Sequence, residues 1–288
     1  MDPLANPELI DITYRDQTTN KLSVFQPFGS TGTVCICLPG MGIRASYYKN
    51  FAAYLSTQGH TVLTIDWRGQ GHSSQLASFQ HNWGYEQLVS DLDDLVHFIH
   101  NRWPEKKIIF VGHSLGGQIA SLYLSRFPLP ENILVMIASC SVYWKGWEGW
   151  EAQRLKLVGT TFYPISRLFG YFPGNLFRFG GREARTIMKD WSTNVMTGKY
   201  QPADTAFDYE QALATTKARI LSISLENDYL ARKQAVINLL SKFGEDTMKT
   251  HLHLNAEEIK VPHLNHFNWA KLPEGIVGKA LEWMDEVL

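Results

Sequence analysis

The chain has 288 residues, 44% hydrophobic and 19% charged, a balance that excludes a disordered polyelectrolyte or a coiled coil and leaves ample chain for a packed core. Lys and Arg total 27 against 28 Asp and Glu, so the strong basic field that holds a phosphate backbone is missing and no nucleic acid partner is expected. Three Cys, two of them at positions 35 and 37 of one short apolar run, argue against a disulfide scaffold and for a reducing compartment.

The opening residues lack a basic stretch followed by an apolar one, and apolar runs such as 133–138 fall far short of the roughly 20 residues of a bilayer span. A cytoplasmic protein with no membrane span is therefore expected. Residues 11–14 and 22–25 are β-rich with no helical stretch between them, which predicts an antiparallel hairpin at a sheet edge. β-rich runs at 22–27, 33–38, 62–66, 107–111, 133–139, 219–225 and 251–254 end in Gly, Asp or Asn clusters. Between most of them lie stretches of helical period at 47–58, 85–103, 115–127, 233–243 and finally 275–287. Strands alternating with helices predict an α/β fold: a mostly parallel sheet of about eight strands with helices on both faces.

Residues 143–217 break the alternation. No strand-like run is visible there, and the segment holds 15 of the chain's 36 Trp, Tyr and Phe. Such a block must bury its rings against something, so it predicts a helical, aromatic-rich cap over a core built from 1–142 and 218–288. Tyr143, Trp144 and Trp147 are the expected substrate-facing walls of that cap.

The most specific pattern is Gly112-His113-Ser114-Leu115-Gly116, which follows an apolar strand and opens a helix. A serine at such a strand-to-helix turn is held in a strained backbone, and flanking glycines permit the close crossing of chain that the turn requires. The hydroxyl is then exposed above the sheet as a nucleophile. Helix N–H groups, that of Leu115 first, are aimed where an oxyanion would form.

From these residues the chain resembles the α/β-hydrolase fold enzymes, and the likeness extends to Leu38-Pro39-Gly40-Met41-Gly42, to Asp66-Trp67-Arg68-Gly69-Gln70-Gly71-His72-Ser73 and to His266-Phe267. Tyr143-Trp144-Lys145-Gly146-Trp147, the stretch 168–174 and the ending His266-Phe267-Asn268-Trp269 are similar to a bacterial group of α/β-hydrolases related to the serine aminopeptidase and monoacylglycerol lipase-like branch, in which the substrate is generally undefined. The resemblance implies a triad in the order serine, acid, histidine. Among the late histidines, His251 and His253 share one face of a strand, whereas His263 and His266 lie in the loop after it. The closing His-Phe implies His266 as the base, with His263 beside it. The acid implied after residues 219–225 is Asp228, with Glu226 in reserve. Met41 is implied as the second oxyanion donor, with Pro39 standing where many relatives carry histidine.

Other patterns carry less. Asp91, Asp93 and Asp94 lack partner ligands at metal spacing and predict a solvated helix face. Gly69-Gln70-Gly71 leads into no glycine-rich helix turn, which rejects a dinucleotide site. His72 and His113 are expected to tune loop and elbow packing, and Cys35, Cys37 and Cys140 to be buried thiols. The expected protein is a serine hydrolase cleaving an ester, thioester or amide of an apolar small molecule, with no cofactor and no metal. Acyl transfer from the same acyl-enzyme, a lipase working at an interface, and a silent ligand-binding protein on this scaffold are the alternatives. Dehalogenase and epoxide hydrolase chemistry would require an aspartate at position 114. Neither oligomeric state nor acyl-chain length is legible.

Overall fold

The structure, a computed structural model, describes residues 7–288. Residues 1–6, where the reading for a leader begins, lie outside the described residues. The chain opens with the predicted hairpin, β1 (Glu8–Thr13) and β2 (Thr19–Phe25), paired antiparallel. The second strand stops at Phe25, before Pro27, which has no N–H to give a ladder. The strands β3 (Thr33–Leu38), β4 (Thr61–Ile65), β5 (Lys107–His113) and β6 (Ile133–Ile137) follow. β3, β4 and β6 are buried along their whole length, as strands covered on both faces must be.

The intervening helices are α1 (Lys49–Thr57), α2 (Tyr85–Arg102) and α3 (Leu115–Arg126). The helical stretch read from residue 47 starts instead as a 3-10 turn, Ala45–Tyr48.

Between β6 and the next strand of the sheet, the chain builds α4 (Gly149–Phe169), β7 (Phe172–Pro173), α5 (Gly174–Phe177), β8 (Arg182–Glu183), α6 (Arg185–Thr197) and α7 (Tyr209–Thr215). The expectation of no strand here is corrected by the β7–β8 pair, too short to leave a period in the sequence. The sheet resumes with β9 (Arg219–Leu225), α8 (Lys233–Leu240), β10 (Met248–Leu254) and α9 (Glu274–Val287). The last strand begins three residues before its predicted start, because Met248 to Thr250 lie on a partly exposed sheet edge and lack an apolar signature.

Eight strands form one sheet in the order β1-β2-β4-β3-β5-β6-β9-β10, parallel except at the opening hairpin and its junction with β4. Helices pack α1 against α9 and α2 against α3 over it. The C-terminal ends of β3, β5, β6, β9 and β10 therefore rise side by side, and the loops leaving them carry the candidate residues.

The predicted solvated face of α2 is corrected. Asp91 and Asp93 are buried, and Asp91 accepts two hydrogen bonds from the buried Arg68 guanidinium, at 2.6 and 2.8 Å. Arg15 pairs with both Asp93 and Asp94. The carboxylates hold the hairpin and the loop after β4 to α2. Their partners lie far away in sequence, so no local pattern marks them as paired.

Candidate active site

Ser114 follows β5 directly with φ 52° and ψ −116°, a conformation that costs a residue with a Cβ of the order of 1–3 kcal/mol. The crossing backbone enforces it. A Cβ at Gly112 would overlap the main chain of Gly117, and one at Gly116 would overlap the Leu38 carbonyl at the end of β3. The Ser114 N–H donates to the Ile137 carbonyl at 3.1 Å, and the Gly117 N–H donates to the Ser114 carbonyl at 3.2 Å, which closes the turn into α3. Among the described residues, neither the Met41 nor the Leu115 main-chain N–H has a hydrogen-bond partner.

Asp228 leaves the end of β9 in a tight turn. Its Oδ1 accepts from the main-chain N–H groups of Leu230 and Ala231 at 2.9 and 2.8 Å, which leaves Oδ2 to meet His266 Nδ1 at 2.7 Å. Both side chains are withdrawn from water, Asp228 1% and His266 4% exposed. The loop carrying His266 is clamped on each side: the Tyr47 hydroxyl donates to the Phe267 carbonyl at 2.7 Å, and the buried Trp269 ring meets the His113 ring edge-on at 5.3 Å. The His266 ring lies 4.7 Å from the ring of His113, the residue immediately before Ser114.

Of the other sequence candidates, Glu226 points to solvent and His263 is exposed. His251 and His253 do share a face of β10, where Ser224 Oγ lies 2.9 and 2.8 Å from their rings. His72 is half-exposed beside Asp66. All three Cys are buried free thiols, pushed above the ordinary thiol range by burial.

No sequence pattern points to Tyr48, yet it links two parts of the site. Its hydroxyl accepts from the Gly40 N–H at 3.1 Å and lies 2.6 Å from His113 Nδ1. Burial, with the neighbouring His266 ring, holds His113 well below the usual imidazole range, so it stays neutral. A neutral chain of three groups thus joins the loop after β3 to the elbow.

The segment between β6 and β9 meets the loops at this end of the sheet. Gly42 is pressed against the main chain of Gly180 and Gly181, and Met41 lies beside Gly180. Glu183 Oε1 accepts from the Gly181 N–H at 2.8 Å and from Gln70 Nε2 at 3.2 Å. Asp190 accepts from the N–H groups of Tyr85 and Ala203, each at 2.8 Å. Among the described residues neither carboxyl is in an ion pair, and burial pushes both up to about 7.

Much of the aromatic block packs on itself: Phe162 stands within 6 Å of Phe172, Phe177, Phe179 and Trp191. Trp147 is buried and its indole N–H donates to the Tyr229 carbonyl at 3.3 Å, bracing the turn that carries Asp228. Trp144 is half-buried, edge-on to Tyr143 and covered by Lys156. Among the described residues, no group of three or more His, Cys, Asp or Glu is arranged to hold a metal ion, and no helix is long and apolar enough to cross a membrane.

Comparison with known proteins adds to this geometry. Residues 29–262 match the model of the family described as serine aminopeptidase, S33, a hydrolase family. Over 142 residues the chain is 31% identical to monoacylglycerol lipase ABHD2 of Danio rerio, covering 45% of this chain and 32% of that protein. It is 25% identical to proline iminopeptidase PfmaB of Pestalotiopsis fici over 73% of this chain and 69% of that one. The match to the lipase thus spans only about a third of its length. Among solved structures, an esterase of Pyrococcus furiosus superposes with a TM-score of 0.63 at 16% identity, over 98% of this chain and 93% of that one, which speaks to the fold.

Proposed function

Because the chain belongs to the serine aminopeptidase S33 family of α/β-hydrolases, we propose that it is a serine hydrolase of small, apolar carboxylic esters, with Ser114 as nucleophile, His266 as base and Asp228 as the acid that orients it. The observation that carries this reading is the buried Asp228–His266 pair, 2.7 Å apart, with the His266 ring tilted against His113, the residue before Ser114 at the elbow, at 4.7 Å.

In the proposed reaction, Ser114 Oγ attacks the substrate carbonyl and its proton passes to His266 Nε2. Asp228 Oδ2 accepts the Nδ1–H, fixing the tautomer and stabilising the imidazolium. The two unpartnered N–H groups of Met41 and Leu115 are free to receive the oxyanion, each worth about 3 kcal/mol of barrier. His266 then gives its proton to the leaving alkoxide. Water, deprotonated by the same ring, attacks the acyl-enzyme and releases the acid.

The segment 143–217 is the cap of this site, with Tyr143, Trp144 and Trp147 as its aromatic wall, which favours an apolar acyl or alcohol part over a charged substrate. The named activities of the relatives, a monoacylglycerol lipase and a proline iminopeptidase, keep both ester and amide bonds in view.

A fluorophosphonate probe and a series of p-nitrophenyl esters of graded chain length test the reading together. The native protein is expected to take up the probe and to hydrolyse part of the series, and Ser114→Ala is expected to lose both. No labelling and a flat response across the series would sink the proposal in favour of a silent binding protein.

A further inference from the structure

The hydrolysis makes no use of the outer face of α4. Ala152, Gly159, Phe162 and Ser166 turn into the molecule, and at about 100° per residue the opposite side of the helix carries Trp150, Leu157 and Leu168 in one line about 27 Å long. These three side chains are 78%, 61% and 74% exposed. Phe169 at the end of α4 and Leu176 and Phe177 in α5 are exposed as well. Single exposed apolar residues are ordinary, but an aligned row is not.

The charges around the row are nearly all of one sign. Residues 144–182 hold six Lys and Arg against two Glu, in a chain whose formal net charge is −1. One of the two, Glu151, is already paired with Arg232 at 2.6 Å. Arg154, Lys156 and Arg167 lie on the exposed part of α4 itself, and the Lys156 ammonium reaches back over the Trp144 ring at 4.9 Å.

We propose that the outer face of α4 and α5 is a docking surface for an anionic phospholipid bilayer, with the Trp150–Leu157–Leu168 row seated at the headgroup level and the flanking Arg and Lys held by lipid phosphates. An apolar stripe bordered by Lys and Arg is the makeup of a helix that lies in a membrane interface. The sign of the charge selects the occupant. A second copy of this chain docking symmetrically would set the same cations against each other, whereas anionic lipid attracts each of them. Docking in this way needs no spanning helix, in keeping with the absence of one among the described residues.

Flotation of the whole protein with unilamellar vesicles tests the surface, using phosphatidylcholine alone and phosphatidylcholine with about 30% phosphatidylglycerol. Binding is expected to be at least about tenfold stronger to the anionic vesicles and to weaken in high salt. The exposed pairs Leu157→Ser with Leu168→Ser, and Arg154→Glu with Arg167→Glu, should each lower it by about tenfold or more, with an unchanged Tm showing that the fold is kept. Ser114→Ala should float like the native protein, so failure of the docking idea and failure of the hydrolase reading are separate results. Absence of binding to both vesicles, equal binding to both, or a dimer in sedimentation that the leucine pair dissolves would each overturn the proposal.

Discussion

Asp91, beneath the sheet's loops, is pressed against the Arg68 guanidinium through two hydrogen bonds, and Asp228 divides its oxygens between His266 and two main-chain N–H groups. Glu183 and Asp190, between β6 and β9, are buried as well but accept only from neutral donors. Burial raises the carboxyl of Asp91 too, yet there Arg68 hydrogen-bonds it and opposes the shift; Glu183 has no cation against it and Asp190 only Lys189, the last of its influences, and both stand at about 7. The two regions are thus held to the molecule by different means. Around the sheet the charges are locked by opposite charges, while the helical segment rests on carboxyls that gain or lose a proton near neutrality.

The sharpest way to break this comparison lies in the sheet's loops. Asp228→Asn should lower kcat by about four orders of magnitude with the protein still folded, since an amide cannot hold the required tautomer; steady-state ester hydrolysis reads this, and a loss under tenfold would reassign the acid. Next, Arg68→Met leaves Asp91 as an uncompensated buried charge and should cost about 3–5 kcal/mol in urea unfolding at neutral pH. Tyr48→Phe strands the Gly40 N–H and His113 Nδ1, which should cost about 1–3 kcal/mol. If the network positions the loop that carries Met41, kcat should fall while KM moves little, a split that a merely structural role would not give.

The smallest effect should come from Glu183→Gln, which keeps an oxygen for Gly181 and Gln70. A carboxyl held above its unfolded value favours the folded state while protonated, so stability falls as pH rises from about 4 to about 7 and is flat above that. Melting curves of the native protein should show this fall, and Glu183→Gln should shrink it, the remainder belonging to Asp190, and match or exceed the native Tm at pH 8. An unchanged pH profile in the variant would remove Glu183 from the comparison.

What the sequence made legible follows the same division. The elbow is readable because Gly112, Ser114 and Gly116 answer to backbone collisions within a few residues of one another. The sheet is readable because its buried strands are short continuous apolar runs. Asp91 and Asp93 read wrongly as solvated because their arginines come from β-hairpin and loop positions 23 and 78 residues away. Tyr48 looks like any helix-start tyrosine until β3 and β5 are side by side. The β7–β8 pair is closed by main-chain contacts of two residues each, and an aromatic block gives no hint of which rings pack inward, as Phe162 does, and which face outward, as Trp150 does.

The contorted backbone at position 114 has a cost that falls on folding alone. With φ at 52°, the proposed nucleophile sits where only glycine is at ease, so Ser114→Gly relieves strain of about 1 kcal/mol or more, partly offset by the looser unfolded chain. A Ser114→Gly variant that outlasts the native protein in a thermal melt would reveal durability surrendered, on the proposed mechanism, for reactivity at a single residue.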